Sequence, residues 1–397
     1  MIENPDQQAA EIIDCLTQTD RPIGLLIGAG CPCSIMTAEG KPLIPDISGL
    51  TDVVIKVLER DLRDKWGIFK RQLEEDDITT PNVEQLLSRV RGMRAYAGSG
   101  VIRGLTGNDL KTMESKICKE IVSVANVSLP NNANPYQQMA VWIKSAGRST
   151  PVEIFTTNYD LLVEQALERH HAPFFDGFVG SCKPFFDGQI VDGDHIPKSW
   201  ARLWKIHGSI NWRRDESGER LNIWRGEPGD GELIHPSDLK YDESRKMPYL
   251  AMMDRLKIFM RNPSSVLITS GFSFSDQHLN EMIVQGLRAN SSSVAFGLLY
   301  GKIDKYDNAI KLAKLYPNFR IHADDGSIIG TQKITWIEQE NQPCQQLPDN
   351  VVQWTQKDEA SKWNARFLLG DFAKLGNLLE YISRNRYRKE QADAERS

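Results

Sequence analysis

Cysteine is scarce in this chain, and the few cysteines are widely spread. The sequence of 397 residues contains six, at positions 15, 31, 33, 118, 182 and 344, and none forms a Cys-x-x-Cys pair. This spacing argues against a disulfide framework and lacks the pattern of a four-thiolate zinc site. The one close pair, Cys31 and Cys33, is separated by a single residue, which suits neither a zinc ribbon nor a thioredoxin-like site. We therefore expect reduced thiols, a cytoplasmic location and no bound metal.

The chain also lacks a dominant charge and any long apolar run. Its 48 Lys and Arg residues against 53 Asp and Glu residues leave a net charge of −5, without a dominant basic block. Nucleic acid is therefore not expected as a direct ligand. No apolar run approaches the roughly 20 residues that a membrane helix needs. The acidic, polar start lacks the basic and apolar regions of a signal peptide, so we expect neither membrane insertion nor secretion.

The sequence does contain a series of short, apolar, β-branched runs. Six of them predict strands, at residues 23–27, 152–155, 203–206, 266–269, 294–300 and 319–322. Because these runs are almost continuously apolar, both faces of the sheet should be buried, as in a parallel sheet covered by helices. The predicted fold class is α/β, with a Rossmann-like parallel sheet. Ligands of such sheets bind at the carboxyl ends of the strands.

The regions between and after these strands differ in pattern. Residues 51–150 show helical spacing of apolar side chains and predict a helical insertion between the first two strands. Residues 173–248 contain many Gly and Asp residues and little periodicity, which predicts long loops over a site. We place one α/β domain at residues 1–330. The C-terminal segment 331–397 is expected to form a helical hairpin broken at Gly370 and Asp371.

A glycine-rich turn follows the first predicted strand. Gly28-Ala29-Gly30 lacks two Cβ atoms, which would let backbone N–H groups approach a phosphate. The dinucleotide fingerprint requires a third glycine where this chain has Cys33, so a dehydrogenase is not supported. A strand–glycine–helix turn without a ligand is the alternative.

Polar residues follow the other strands as well. Residues 156–160 (Thr-Thr-Asn-Tyr-Asp) carry more hydrogen-bonding groups than a strand end requires, although such residues also cap helices. His207 ends the third strand, where an imidazole is well placed as a base near neutral pH, although a single histidine is often structural. Residues 270–276 (Ser-Gly-Phe-Ser-Phe-Ser-Asp) end the fourth strand with small residues and hydroxyls that could wrap a diphosphate. Pro45-Asp46 alone predicts only a turn.

In their order along the chain, these segments resemble the sirtuin family. The matching residues are Gly28-Ala29-Gly30, Ile44-Pro45-Asp46, Thr157-Asn158-Tyr159-Asp160, His207-Gly208 and Gly271-Phe272-Ser273. The chain departs from the sirtuin pattern at Ile47, Ser48 and Thr157. It also has no cysteine between Cys182 and Cys344, so the zinc module that helps frame the peptide groove of sirtuins is absent.

Two further segments, at residues 82–87 and 369–372, resemble the bacterial sirtuin-like proteins of antiphage defence. This resemblance implies an enzyme that hydrolyses NAD, its substrate, and depletes it in infected cells. It also implies a homo-oligomer and, in some members, a partner ATPase of the HerA type. The domain at 1–330 would then be the catalytic NAD-binding domain, and the segment 331–397 would contact a neighbouring subunit or the partner.

The chemistry of this reaction suggests roles for the candidate residues. Nicotinamide leaves NAD as a neutral molecule without being protonated, unlike the leaving oxygen of an ordinary glycoside. The protein must therefore grip the diphosphate, stabilise an oxocarbenium-like ribose and position water. Asn158 would orient the ribose or the water, His207 would accept a proton, and Asp160, with Asp46, would hold the carboxamide or support that geometry. The predicted cofactor-binding set is Gly28, Ala29, Gly30, Ser34, Pro45, Asp46, Thr157, Gly271 and Ser273.

Two other functions could use the same cleft. A protein deacylase or ADP-ribosyltransferase would use another acceptor, and a non-catalytic sensor would bind NAD or ADP-ribose without cleaving it. The presence of both Asn158 and His207 argues against pure binding. Because unrestrained NAD consumption would harm the host, we expect assembly to gate the enzyme through the helical faces of residues 51–150 or 368–382. The alternative is that both faces pack on the catalytic domain.

Overall fold

A ten-stranded sheet forms the centre of the computed structural model of this chain. The structure describes residues 2–145, 147–193, 195–215, 222–229, 248–341, 343, 347–348, 351–356 and 362–394. The strands are β1 (Ile2–Glu3), β2 (Ile23–Ile27), β3 (Val101–Ile102), β4 (Leu105–Thr106), β5 (Val152–Thr156), β6 (Phe174–Phe175), β7 (Phe178–Val179), β8 (Phe185–Phe186), β9 (Ala201–Lys205), β10 (Trp212–Asp215), β11 (Asn222–Arg225), β12 (Val266–Ser270), β13 (Val294–Leu298), β14 (Phe319–Ala323), β15 (Gly326–Ile329), β16 (Gln332–Trp336), β17 (Glu338–Gln339), β18 (Val352–Gln356) and β19 (Trp363–Phe367). The helices are α1 (Pro5–Thr17), α2 (Ile47–Asp61), α3 (Arg63–Glu75), α4 (Val83–Ala97), α5 (Gly107–Ala125), α6 (Pro135–Ser145), α7 (Leu162–Arg169), α8 (Gly188–Asp192), α9 (Tyr249–Arg261), α10 (Gln277–Ala289), α11 (Asp307–Leu315) and α12 (Phe372–Ala394).

The order of the strands in the main sheet is β1-β16-β15-β14-β13-β12-β2-β5-β9-β6. The strands from β14 to β6 run parallel, and β15 and β16 add an antiparallel hairpin beyond β14. The chain first builds from β2 to β5 and β9, then returns to the other side of β2 with β12, β13 and β14. The strand order therefore reverses between β2 and β12, and the crevice beyond their carboxyl ends is where open α/β sheets bind ligands. The predicted α/β, Rossmann-like fold and all six predicted strands are confirmed.

Both faces of the main sheet are buried, as the apolar runs predict. Ile23, Leu25 and Ile27 of β2 pack with α1, α6, α7 and α12 on one face. Leu26 packs with α9, α10 and α11 on the other face. Two strand ends differ slightly from the prediction, because β13 ends at Leu298 and β9 ends at Lys205. These earlier ends leave the following polar residues in loops at the carboxyl edge.

Among the described residues, five helices and a short hairpin lie between β2 and β5, and four of these helices share a core of their own. Apolar faces of α2, α3, α4 and α5 form a separate hydrophobic core, in which Val54, Phe69, Leu87 and Met113 are buried. Ile210, from the loop after β9, joins this core and connects the insertion to the sheet. In contrast, α6 packs against α12 and the main sheet. The predicted helical insertion is thus present and stabilised by its own core.

The C-terminal segment differs from the predicted helical hairpin. β17, β18 and β19 form a three-stranded antiparallel sheet, and only α12 is helical. In β19 the side chains alternate between exposed and buried positions, which is the period of a strand. Leu369, Phe372, Leu375 and Ile382 are buried in the main core. The apolar face of α12 is therefore covered by the chain itself, and β16 extends the main sheet beyond residue 330.

The region predicted as loops at residues 173–248 contains short strands. β7, β8, β10 and β11 form a four-stranded antiparallel sheet, and α8 lies between β8 and β9 in the chain. The parts of that prediction at residues 194, 216–221 and 230–247 lie outside the described residues. Within the part of the chain that the structure describes, no helix combines the length and the apolar character needed to cross a membrane.

Candidate functional site

A cleft opens at the carboxyl edge of the main sheet, where the loops after β2, β5, β9 and β12 meet. Its volume is about 1560 Å³. The predicted residues Ala29, Gly30, Ser34, Pro45, Asp46, Thr157, Asn158, Asp160, His207, Gly271 and Ser273 all line it. Gly28 lies directly behind them, since its carbonyl oxygen accepts a hydrogen bond from Asn158. The fold therefore brings together candidates that are separated by more than 200 residues in sequence.

Glycines pack the loops after β2 and β12 tightly against each other. A Cβ atom on Gly28 would lie 2.3 Å from the carbonyl oxygen of Gly271. The N–H of Gly28 donates to the carbonyl oxygen of Ser270 at 2.9 Å. The N–H of Gly30 donates to the carbonyl oxygen of Gly271, also at 2.9 Å. Both N–H groups are therefore occupied within the protein, which differs from the expectation that they approach a phosphate.

Asn158 is held in place by its side chain and by its backbone. Its Nδ2 donates to the carbonyl oxygen of Gly28 at 3.1 Å, and its N–H donates to Oγ1 of Thr156 at 3.0 Å. Thr156 in turn donates to the carbonyl oxygen of Ile27 at 2.9 Å. The Asn158 amide is thus buried at the junction of β2 and β5 while it still lines the cleft. A fixed amide in this position can orient a ribose hydroxyl or a water molecule.

Asp160 stabilises the loop that carries Asn158. Its carboxylate accepts the N–H of Leu162 at 2.9 Å, at the start of α7. The buried ammonium of Lys205 donates to the backbone carbonyl of Asp160 and, at 2.9 Å, to the carboxylate of Glu164. Burial raises the pKa of Asp160 to about 6, against the opposing effect of Lys205. The Asp160 carboxyl group therefore changes its charge close to neutral pH.

His207 faces the cleft and is oriented by a carboxylate. Its Nε2 lies 3.1 Å from Oδ2 of Asp276, and the imidazole is almost fully buried. The Nδ1 atom of His207 is also buried, and it has no hydrogen-bond partner among the described residues. An ionised carboxylate only accepts hydrogen bonds, so Nε2 of His207 donates to Asp276. This contact orients the imidazole towards the cleft that it lines.

Asp276 is the last residue of the predicted strand-end segment 270–276, but the sequence analysis gave its carboxylate no role of its own. Its Oδ1 accepts the N–H groups of His278 and Leu279, at 2.9 and 3.3 Å, and so caps α10. Its Oδ2 is left to contact His207. An aspartate before a helical pattern is a recognisable cap signal in the sequence. That signal does not reveal which histidine the second carboxylate oxygen meets.

Residues at the rim of the cleft have structural partners of their own. Oδ1 of Asp46 accepts the N–H of Gly49 at 2.9 Å and caps α2. Ser34 donates its hydroxyl to the carbonyl oxygen of Cys31 at 2.7 Å. Burial, followed by the charge of Asp46, raises the pKa of Cys33 to about 11. The Cys33 thiol is therefore protonated at neutral pH and is a poor nucleophile.

One face of helix α4 forms a wall of the cleft. Its lining residues are Val83, Glu84, Gln85, Ser88, Arg89, Gly92, Met93 and Tyr96, whose spacing follows the helical period. The helix begins with a capping box between Asn82 and Gln85. The sequence analysis predicted this helix but gave none of its side chains a place in the site. Arg103, from the β3–β4 turn, lies along the same cleft.

The described residues contain no group of three or more His, Cys, Asp or Glu side chains that could hold a metal ion. Cys344, the last cysteine of the chain, lies outside the described residues.

Comparisons with known proteins find similarity to Sir2 proteins. A family model described as a SIR2-like domain matches residues 152–315, which include Asn158, His207 and Asp276. A Sir2 homologue in complex with NAD is 12% identical, with a TM-score of 0.33, over 75% of this chain and 86% of that chain. A mutant Sir2 homologue in complex with ADP-ribose is also 12% identical, with a TM-score of 0.33, over 72% and 84% of the two chains. No curated protein sequence matches the chain.

Proposed function

We propose that this protein is an NAD glycohydrolase that cleaves the bond between nicotinamide and ribose. The observation that carries the proposal is the position of Asn158 and of the His207–Asp276 pair at the ends of neighbouring strands, in one cleft. The match of residues 152–315 to a SIR2-like domain supports an NAD-utilising function for the same loops. The switch point between β2 and β12 is also where this sheet type binds nucleotides.

The proposed reaction assigns one task to each group. The nicotinamide nitrogen leaves with the electron pair of its bond to the ribose, which generates an oxocarbenium-like carbon. A water oxygen forms the new bond to that carbon, and the water proton passes to the imidazole of His207. Asp276 stabilises the imidazolium that results, because an opposite charge nearby favours the protonated form. The fixed amide of Asn158 orients the water, and the products are nicotinamide, ADP-ribose and a proton.

Water is the proposed acceptor because the chain lacks the thiols of a peptide-framing zinc module. No cysteine occurs in the sequence between Cys182 and Cys344. The cleft wall is supplied instead by α4 of the helical insertion. A hydroxyl or a lysine of another protein could replace water only if it reached the ribose past this wall.

We also propose that the enzyme acts as an effector of antiphage defence in bacteria, within a homo-oligomer and with an ATPase of the HerA type. The segments 82–87 and 369–372 carry the resemblance to that branch, and residues from both line the cleft. The apolar face of α12 is buried within the chain. An interface formed by the C-terminal segment would therefore use the exposed side of this helix or the β17–β19 sheet.

Paired incubations, without and with an acylated peptide, separate the proposed reaction from its rivals. The full chain is incubated with NAD, and nicotinamide, ADP-ribose and the mass of the protein are measured together. Hydrolysis predicts equal amounts of nicotinamide and free ADP-ribose, with no change in protein mass. ADP-ribose attached to protein would instead indicate a transferase, and release of nicotinamide only in the presence of an acylated peptide would indicate a deacylase. Bound but intact NAD would indicate a sensor.

A further inference from the structure

A buried lysine lies beneath the loop that carries Asn158. Lys205 is the last residue of β9, and its side chain is only 2% exposed. Leu203, two residues earlier in the strand, packs in the same core as α7, so Lys205 points to that side of the sheet. Burial of an ammonium group is unfavourable unless it is paired and hydrogen-bonded. The contacts of this ammonium therefore indicate what the lysine does.

The ammonium of Lys205 has three acceptors around it. Its Nζ lies 2.9 Å from Oε1 of Glu164 in α7, whose side chain is 12% exposed. It also donates to the backbone carbonyl of Tyr159 at 3.4 Å and to the backbone carbonyl of Asp160. The three acceptors match the three N–H bonds of an ammonium. Two of them belong to the backbone that directly follows Asn158, so the lysine holds this loop as well as its charged partner.

The carbonyl of Tyr159 joins the loop after β5 to the loop after β9. Besides the ammonium, it accepts the N–H of Ile210 at 3.1 Å and the hydroxyl of Ser209 at 3.4 Å. Ser209 and Ile210 follow His207 in the chain. One carbonyl oxygen next to Asn158 is therefore bonded to three groups that belong to β9 and its loop.

We propose that Lys205 is a positioning residue that fixes the Asn158 amide relative to the His207 imidazole. It lies two residues before His207 in the chain and acts on the Asn158 loop through backbone carbonyls. It does not line the cleft itself. A misplacement of about 1 Å at reacting groups can lower a rate by about 100-fold, so a residue outside the cleft lining can still control turnover. This inference rests on the proposed function, because the two positioned groups are those assigned to NAD hydrolysis.

Two variants of the full-length protein separate positioning from stability. Lys205→Met removes the ammonium with an unbranched side chain, but it leaves the Glu164 carboxylate without its partner, which should lower the midpoint of thermal unfolding. The double variant Lys205→Met, Glu164→Met removes both charges. Because apolar replacement of a buried ion pair is often neutral for stability, the double variant should recover most of the lost midpoint. The bonds to the two backbone carbonyls are absent from both variants.

The kcat for NAD hydrolysis should fall by about 10- to 100-fold in both variants. The KM for NAD and the affinity for ADP-ribose should change by less than about threefold, because the lost interaction orients the reacting groups rather than binding the substrate. Hydrogen exchange of a peptide covering residues 157–161, measured by mass spectrometry, should be faster in the double variant than in the wild type, because the loop opens more often. A lysine with a structural role alone predicts that turnover recovers together with the thermal midpoint.

A second buried ion pair on the same strands provides the matched control. Glu153 of β5 is buried, pairs with Arg255 and lies outside the cleft lining. Whatever its effect on the thermal midpoint, Glu153→Gln should leave kcat within about threefold of the wild type. A loss of kcat in Glu153→Gln as large as that in Lys205→Met would show a general response to a lost buried charge and would overturn the positioning role.

The measurements also separate this role from the proposed reaction. Wild-type kcat in the double variant, or unchanged hydrogen exchange at residues 157–161, would overturn the positioning role and leave hydrolysis intact. A wild-type protein that releases no nicotinamide would overturn hydrolysis, and the exchange of the same peptide would then decide whether Lys205 holds the loop.

Discussion

His207, after strand β9, and Asp276, before helix α10, are joined by a contact of 3.1 Å between Nε2 and Oδ2. The same carboxylate caps α10 through its other oxygen, so the helix start and the imidazole are positioned by one group. This arrangement fixes the orientation of the imidazole ring. Because different oxygens of Asp276 contact His207 and cap α10, the contact with His207 can be altered while the cap is kept.

Asp276→Asn should lower kcat by about 10- to 10³-fold, since an orienting carboxylate supports the general base. Asparagine can still accept the N–H groups at the start of α10, but its neutral amide cannot stabilise an imidazolium. The matched control is Asp187→Asn, which changes the cap of α8 outside the cleft lining. An unchanged kcat in Asp276→Asn would show that the contact plays no part in turnover.

Replacing His207 or Asn158 by Ala should reduce NAD turnover by about 10²- to 10⁴-fold, the usual contribution of a positioned acid or base. Both residues follow strands rather than forming the core, so the fold should survive. Nicotinamide release and thermal unfolding are measured on the same samples. His195→Ala, at an exposed position outside the cleft lining, serves as the control. Near-normal turnover in His207→Ala would mean that the base is another group.

Gly28→Ala should destabilise the protein by about 1–3 kcal/mol, a typical cost of overpacking. Its new Cβ would lie 2.3 Å from the carbonyl oxygen of Gly271, so the loops after β2 and β12 must separate. Turnover should fall too, because the Gly28 carbonyl positions Asn158. In contrast, Gly67→Ala in α3 meets no atom within 4 Å and should stabilise the protein by up to about 1 kcal/mol. Urea unfolding compares the two, and equal effects would contradict the packing argument.

The buried His322 should make the protein sensitive to acid. It stacks between Phe296 and Trp336, both ring nitrogens lack hydrogen-bond partners among the described residues, and burial lowers its pKa from 6.5 to about 3. As pH falls, the imidazole of His322 is therefore protonated in the unfolded chain before it is protonated in the folded protein. The free energy of unfolding keeps its full value above about pH 6.5 and decreases between about pH 6.5 and 3. From pH 7 to pH 5 the loss should be about 2 kcal/mol.

Urea unfolding of the wild type and of His322→Leu at these two pH values measures that effect. The substitution removes the titrating group, so the difference in unfolding free energy between pH 7 and pH 5 should shrink by about 2 kcal/mol. His195→Leu, at an exposed position, should leave the difference unchanged. Equal acid sensitivity in the wild type and His322→Leu would contradict the assignment.

Assembly should gate NAD hydrolysis. Turnover per chain is measured over a range of protein concentrations, with and without a HerA-type ATPase, alongside the mass of the complex in solution. We expect the isolated chain to be restrained and turnover to rise when the complex forms, because a conformation stabilised by the partner becomes more populated. A monomer that turns over NAD rapidly, unchanged by concentration or partner, would refute gating.

Local sequence patterns were sufficient for much of the fold and for many of the candidate positions. The apolar runs predict the strands because burial on both faces demands continuous hydrophobic side chains, and Thr157, Asn158 and His207 follow those runs directly. The same approach failed at residues 368–371, where leucines before α12 have helical spacing but belong to the turn after β19. A short apolar run fits both the helical period and the strand period, and the packing of the folded chain decides which structure forms.

Contacts between distant residues were decided only by the tertiary structure. The sequence by itself determined the α/β class, the helical insertion and the polar strand ends, since these depend on hydrophobic periodicity and turn residues within short windows. The pairing of His207 with Asp276, the occupied N–H groups of Gly28 and Gly30, and the entry of Arg89 into the cleft each join segments far apart in the chain. A one-dimensional pattern carries no distance between such segments, because that distance is set by strand order and by the packing of helices on the sheet.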